Sequence, residues 1–202
     1  MLEKGKLITV EGVDGAGKST QMAVIDQALR ERGIDLVRTR EPGGPETAEK
    51  IRELLLNEPM SPKCELMLMF AAREENLDKI IRPALAKGQW VLCDRFTDAS
   101  YAYQGYGRGR SIEEIRALEN FVHPDLKPDL TVLFDVPTEV AAARLSRKLD
   151  RFEKESQDFH RRVREGYLRM AKAEPERFYV VDGTQTPEQI SAQLREVFAQ
   201  WK

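Results

Sequence analysis

Cysteine is scarce: Cys64 and Cys93 are the two present, far apart and without the spacing of a metal site. That excludes a disulfide framework and fits free thiols in a reducing compartment. Long hydrophobic runs are also missing. The longest strongly apolar stretch, Leu66 to Ala72, falls far short of a bilayer span. The N-terminus lacks the cationic, apolar and cleavage regions of a secretory leader, so a cytoplasmic protein with no membrane partner is expected. Nor does one sign of charge dominate. The 32 Lys and Arg against 34 Asp and Glu leave a net charge of −2, which argues against generic nucleic-acid binding. No repeat, low-complexity tract or flexible linker interrupts the 202 residues, so one domain over 1–202 is the expectation.

Against these absences, residues 12–19 stand out: Gly12-Val13-Asp14-Gly15-Ala16-Gly17-Lys18-Ser19 fits G-x-x-x-x-G-K-[ST] at every fixed position. The pattern carries a mechanism. Glycines let backbone N–H groups turn inward around phosphate oxygens, the lysine reaches the terminal phosphates, and the serine hydroxyl ligates Mg²⁺. The flanks agree, with a strand at 6–11 before the loop and a helix from Ser19 to Arg32 after it, stopped by Gly33. The helix N-terminus adds a favourable dipole for an anion. The Asn-Lys-x-Asp guanine signature of a nucleotide switch protein is absent from the sequence.

Five β-rich runs, 6–11, 35–40, 90–94, 130–136 and 178–182, alternate with segments of helical period. Those segments include 46–56, 111–122 and a last helix carrying Ile190, Leu194, Val197, Phe198 and Trp201. Alternation of this kind predicts an α/β fold with a parallel sheet covered on both faces. Ligands then gather at the carboxyl ends of the strands, where Glu11, Arg40-Glu41, Asp94-Arg95, Asp135 and Asp182-Gly183 converge.

The run 90–95 is an apolar strand ending in a carboxylate beside a guanidinium. Asp94 is placed to hold Mg²⁺ and Arg95 to grip a second phosphate through paired hydrogen bonds; a salt bridge between elements is the alternative. Asp135, followed by Val136-Pro137, reads as mainly structural. Phe70 and Arg73, three apart, share a helix face. They fit a plate and donor for a nucleobase equally with a core aromatic under a snorkelling arginine. Tyr103 and Gln104, near a strand end among glycines, fit a ligand wall or a surface turn. Arg144, Arg147 and Arg151 align if their segment is helical, as a lid closing over transferring phosphates or as an ordinary solvated face.

Taken together, these strings resemble one family, the bacterial thymidylate kinases. The matching residues are Glu11 to Thr20, Thr39-Arg40-Glu41-Pro42-Gly43-Gly44, Phe70-Ala71-Ala72-Arg73, Asp94-Arg95-Phe96, Ala102-Tyr103-Gln104-Gly105, Asp150-Arg151-Phe152-Glu153 and Asp182-Gly183-Thr184. The resemblance implies a three-layer phosphate-loop kinase fold with a five-stranded parallel sheet and a lid at about 144–155. It also implies a homodimer and Mg²⁺-dependent transfer from ATP to dTMP in dTTP biosynthesis. By the same resemblance Gly12 to Thr20 cradle ATP, with Thr184 in the adenine loop. Phe70 would stack on thymine, Arg73, Ser100 and Gln104 would complete the base pocket, and Glu41 and Pro42 would shape it. Arg95 would hold the dTMP phosphate with Arg52 lining the same site, Asp14 would approach the sugar 3′-hydroxyl, and Tyr103 would pack against the sugar. Ser19 and Asp94 would hold the metal. Glycine at 15, where some members carry arginine, implies that Arg144, Arg147 and Arg151 of the lid supply the catalytic charge beside Lys18 and Arg95. Phe96 and Ala99 depart from the tyrosine and serine common in the family.

Overall fold

The computed structural model describes residues 5–145 and 149–201. Five short strands form one parallel sheet in the order β2-β3-β1-β4-β5, with β1 at Leu7–Glu11, β2 at Leu36–Arg40, β3 at Trp90–Asp94, β4 at Leu130–Asp135 and β5 at Phe178–Asp182. Each strand lies within one residue at either end of its expected run. The register pairs Thr9 with Cys93 and Thr131, so that Asp94 lies opposite Val10 at the carboxyl edge. β1, β3 and β4 have almost wholly buried side chains on both faces, which is why they read as continuous apolar runs rather than alternating ones.

The two faces are covered by different clusters. Ile8, Val10 and Leu92 share a core with Met22, Ile25 and Leu29 of α1 (Lys18–Glu31) and with Ile190, Leu194 and Phe198 of α9 (Pro187–Gln200). Leu7, Val91 and Cys93 pack instead with Leu77, Ile81, Ala84 and Phe96. Fully burying each such aliphatic side chain stabilises the fold by about 1.5–3 kcal/mol. The helix α3 (Pro62–Asn76) begins at Ser61, whose hydroxyl accepts from the Cys64 N–H at 3.3 Å, with Pro62 in the first turn. It runs on through a π-type turn at Leu77–Ile81 into α4 (Arg82–Ala86).

The remaining helices are α2 (Glu46–Asn57), α5 (Thr97–Ser100), α6 (Ile112–Val122), α7 (Thr138–Arg144) and α8 (Gln157–Ala173). A second π-type stretch, Tyr101–Gly107, packs against α8 and presents Tyr103 and Gln104 beside the strand ends. Of the expected lid, Arg144 ends α7, and residues 149–155 lead toward α8 without regular helix.

Candidate active site

The phosphate loop joins β1 to α1 at the carboxyl edge of the sheet. Gly17 caps α1 in the left-handed region at φ 94°, and Gly15 sits at φ 83° against α7. A β-carbon on Gly15 would lie 2.2 Å from the Ala141 carbonyl oxygen, so the position has no room for any side chain. Lys18 is buried, and its ammonium donates to the carbonyls of Gly12 at 3.1 Å and Val13 at 3.3 Å. Burial pushes the Lys18 pKa down and Arg95 adds to that, against the pull of Asp14, Asp94 and Glu11. Ser19 and Thr20 are exposed at the start of α1.

Arg95 follows β3 with a left-handed backbone at φ 68°, a costly conformation for a side-chain-bearing residue. Its N–H donates to Val10 O and its own carbonyl accepts from Cys93 Sγ, which fixes the turn. The guanidinium then spans the two halves of the site. Nη1 donates to Gly12 O at 2.9 Å and to the Tyr167 hydroxyl at 3.2 Å, and Nη2 to Asp14 at 2.8 Å and the Tyr103 hydroxyl at 3.1 Å. For Asp14, burial alone would raise the carboxyl pKa, but Arg95 and Lys18 outweigh it and hold the group well below the usual carboxylate range. Glu11, at the end of β1, accepts from Phe96 N and the Tyr167 hydroxyl, both at 2.7 Å. Burial, with Asp98 adding, pushes its carboxyl up to about 8 against the pull of Arg95 and these donors.

Beside this centre a cleft of about 580 Å³ is lined by Asp14, Glu41, Pro42, Arg52, Arg73, Arg95, Ser100, Tyr103 and Gln104. Every one of these was an expected acceptor-site residue; Phe70 was another, and it is not on the wall. It lies buried with Leu66 and Ile115, its ring 4.5 Å from the Arg73 guanidinium. Met69, together with Phe96 and Phe152, takes the wall instead. The cause is helical geometry, because Met69 lies about 40° from Arg73 around α3 and Phe70 about 60° on the other side. Arg73 is held by Glu41 at 2.7 Å, the Phe96 carbonyl at 3.0 Å and the Ser100 hydroxyl at 3.1 Å, while its buried Nη1 has no hydrogen-bond partner among the described residues. Asn76 donates to the other Glu41 oxygen, and Arg52 donates to the Pro42 carbonyl.

The two candidate metal carboxylates differ sharply. Asp135 is engaged by Arg164 through two hydrogen bonds of 2.6 and 2.9 Å. Among the described residues Asp94 Oδ1 is buried with no hydrogen-bond partner, and Asp94 lines a depression that Ser19 also lines. A carboxylate and a serine lining one depression at the phosphate loop fit a hard divalent cation such as Mg²⁺.

The lid arginines separate. Arg144 is exposed at the end of α7, and Arg147 lies outside the described residues. Arg151 does not face the phosphate loop: its Nη1 reaches Glu65 at 2.7 Å and its Nε the Leu55 carbonyl at 2.9 Å. A buried carboxylate on the acceptor side is thus its partner. Between the loop, α7 and residues 149–160 a second opening is lined by Val13, Asp14, Thr138, Ala141 and His160 among others. Thr184 donates through both its N–H and its hydroxyl to Asp182, in a turn where a β-carbon on Gly183 would stand 3.5 Å from the Ala16 carbonyl. Glu65, Met69, Asn76 and Tyr167 were not singled out from sequence. A charged residue inside an otherwise apolar helix face was the available signal for Glu65.

A family profile described as thymidylate kinase matches residues 10–194. The thymidylate kinase of Methylobacillus flagellatus is 51% identical over 201 residues, covering 98% of this chain and 99% of that protein. That of Bordetella pertussis is 54% identical over 206 aligned residues, covering 99% of each. The crystal structure of thymidylate kinase from Ehrlichia chaffeensis superposes with a TM-score of 0.78 at 33% identity, over 96% of this chain and 98% of that one.

Proposed function

The chain belongs to the thymidylate kinase family, phosphotransferases that convert dTMP to dTDP with ATP for dTTP synthesis, and we propose how its residues carry out that transfer. The observation that carries the reading is Arg95. One guanidinium touches the phosphate loop at Gly12 and Asp14 and lines the adjoining cleft, so donor and acceptor phosphates bound there meet across it.

In this reading ATP lies along Gly12 to Thr20, with its base toward Thr184, and dTMP fills the cleft. Arg95 and Arg52 hold the dTMP phosphate, Asp14 and Tyr103 meet the sugar, and Arg73, Ser100 and Gln104 read the base. Met69 and Phe96 form the apolar plate, and Phe70 backs the Arg73 guanidinium. The attacking phosphate oxygen is already ionised near neutral pH, so no strong general base is required. Catalysis is alignment plus stabilisation of charge spreading over the transferring group. Lys18 supplies part of that charge and Arg144 and Arg147 the rest, while Arg151 ties the lid base to Glu65. Ser19 and Asp94 would hold Mg²⁺, which when bound would neutralise charge on the transferring phosphates. Lid closure keeps water from the phosphoryl group.

Exposed Leu54, Met67 and Phe121, on the packed helices α2, α3 and α6, are the surface we assign to a homodimer, with Phe121 86% exposed. A cytoplasmic location is part of the same proposal. The test is coupled ADP release with dTMP, dUMP, dCMP, dGMP and thymidine as acceptors. Preference for dTMP, with dTMP turnover that collapses in Arg95→Ala, supports the assignment; equal dTMP turnover by Arg95→Ala removes the clamp from it.

A further inference from the structure

On α3, Glu65, Met69 and Arg73 follow at i, i+4 and i+8 and so run along one face. Glu65 is 1% exposed, at the far end of this stripe from the Arg73–Glu41 pair. Its Oε1 accepts from Gln104 Nε2 at 2.9 Å, and its Oε2 accepts from Arg151 at 2.7 Å and Arg108 at 3.2 Å. Two guanidiniums against a buried carboxylate leave it an acceptor only. The Gln104 amide therefore has one orientation open to it, with nitrogen toward Glu65. Gln104 lines the cleft, and its Oε1 has no hydrogen-bond partner among the described residues.

Arg73 and Gln104 both line the cleft, and among the described residues Arg73 Nη1 has no hydrogen-bond partner, so this wall sets a donor beside the acceptor Gln104 Oε1. Thymine presents the complement, an O4 acceptor beside an N3–H donor. Cytosine presents the reverse, an N4 amino donor beside an N3 acceptor. Were the Gln104 amide free to turn over, its NH₂ could serve cytosine N3, and half of this discrimination would vanish.

We propose that Glu65 is a specificity-determining positioning residue: by holding the Gln104 nitrogen it turns the amide oxygen to the base and selects a 2,4-dioxopyrimidine over a 4-aminopyrimidine. The inference rests on dTMP being the acceptor. Glu65 touches no substrate and acts through Gln104.

The test is the ratio of kcat/KM for dTMP to that for dCMP in wild type, Glu65→Gln, Gln104→Leu and the double variant, with the Kd of each monophosphate measured without ATP. In Glu65→Gln the partner amide can donate as well as accept, and the ratio should fall at least about tenfold, as expected when a buried hydrogen-bonding group loses its fixed partner. In the Gln104→Leu background the same substitution should leave the ratio unchanged, whatever it does to kcat through Arg151. Thermal melting checks folding. Should Glu65→Gln not fold, Glu65→Asp keeps the charge, draws it back from Nε2, and should lower the ratio in the same way. Equal losses for both nucleotides, or the same fall in ratio without Gln104, would overturn the role of Glu65. Wild type with no preference for dTMP would overturn the acceptor reading itself, which is a distinct result.

Discussion

Gly15→Ala adds one methyl group where the backbone stands at φ 83° and where the new carbon meets the Ala141 carbonyl at 2.2 Å. The left-handed conformation of a side-chain-bearing residue costs about 1–2 kcal/mol. The overlap is with backbone in α7, not with the far end of a flexible side chain, so either the loop or the helix has to move. Forced shifts of this kind cost about 1–3 kcal/mol. The sum, about 2–5 kcal/mol, lies below the usual stability of a domain, so the variant folds. Its melting temperature should drop by about 5–15 °C for a chain of this size. Because the strain sits in the phosphate loop, KM for ATP should rise with it while dTMP binding without ATP stays the same. Gly15→Arg carries the same penalty and also displaces the helix from which the lid begins. It should therefore fail to restore turnover to an Arg144→Ala or Arg147→Ala enzyme. Differential scanning calorimetry and a coupled ADP assay read both effects. A Gly15→Ala enzyme melting within about 2 °C of wild type with unchanged KM for ATP, or rescue of a lid variant by Gly15→Arg, would refute the reasoning.

Arg95→Ala removes the guanidinium and leaves Asp14 without its ion pair; kcat/KM for dTMP should fall at least about 10²-fold, whereas Lys18→Ala should impair turnover with every acceptor. An equal loss in Arg95→Ala with thymidine, which carries no phosphate for the clamp to hold, would contradict the division. Asp94→Asn keeps the shape but removes the charge of the unpaired oxygen, so the Mg²⁺ concentration for half-maximal activity should rise about tenfold or more; an unaltered Mg²⁺ titration would move the metal elsewhere. Glu11 is raised from 4.5 to about 8, so its contribution to stability is complete below pH 4.5 and is lost as pH climbs through 8. At about 1.36 kcal/mol per unit the change amounts to roughly 5 kcal/mol. Glu11→Gln should therefore gain on wild type in urea midpoints between pH 5 and 8, and parallel pH curves for the two would count against the buried, protonated carboxyl.

Local signals carried the frame of the molecule. Five apolar runs bounded by polar or glycine residues located the strands, and the G-x-x-x-x-G-K-S string located the loop between the first strand and the first helix. Strand order was beyond them, since parallel pairing joins residues far apart in the chain, as Ile8 joins Leu130. Within the site, Asp94-Arg95 was legible because a strand end beside a phosphate loop leaves little choice of direction. Which of Met69 and Phe70 lines the cleft was not legible, because i, i+3 and i, i+4 neighbours are both near on a helix and the aromatic ring is the more conspicuous of the two. The ion pair of Arg151 was not legible because its partner, Glu65, is 86 residues away. Tyr167 is similar: its hydroxyl bridges Glu11 and Arg95 from α8, and a tyrosine on an amphipathic helix gives no sign of that reach.

The ion pairs around the loop also explain how a site for two phosphate-bearing substrates stays ordered before either arrives. Burial is the main push on the Lys18 pKa downward, and repulsion from the nearby Arg95 adds to it. Asp14 and Asp94 offset that repulsion, and the Tyr103 and Tyr167 hydroxyls fix the guanidinium without adding charge. A third ionised carboxylate at Glu11 would draw Arg95 back toward the sheet and away from the cleft. Burial keeps that group protonated near neutral pH, so it can orient Tyr167 without competing for the cation. Cations held in place by weakly competing neighbours need little reorganisation when phosphate oxygens replace those neighbours, and that is the condition under which fixed charges accelerate phosphoryl transfer most.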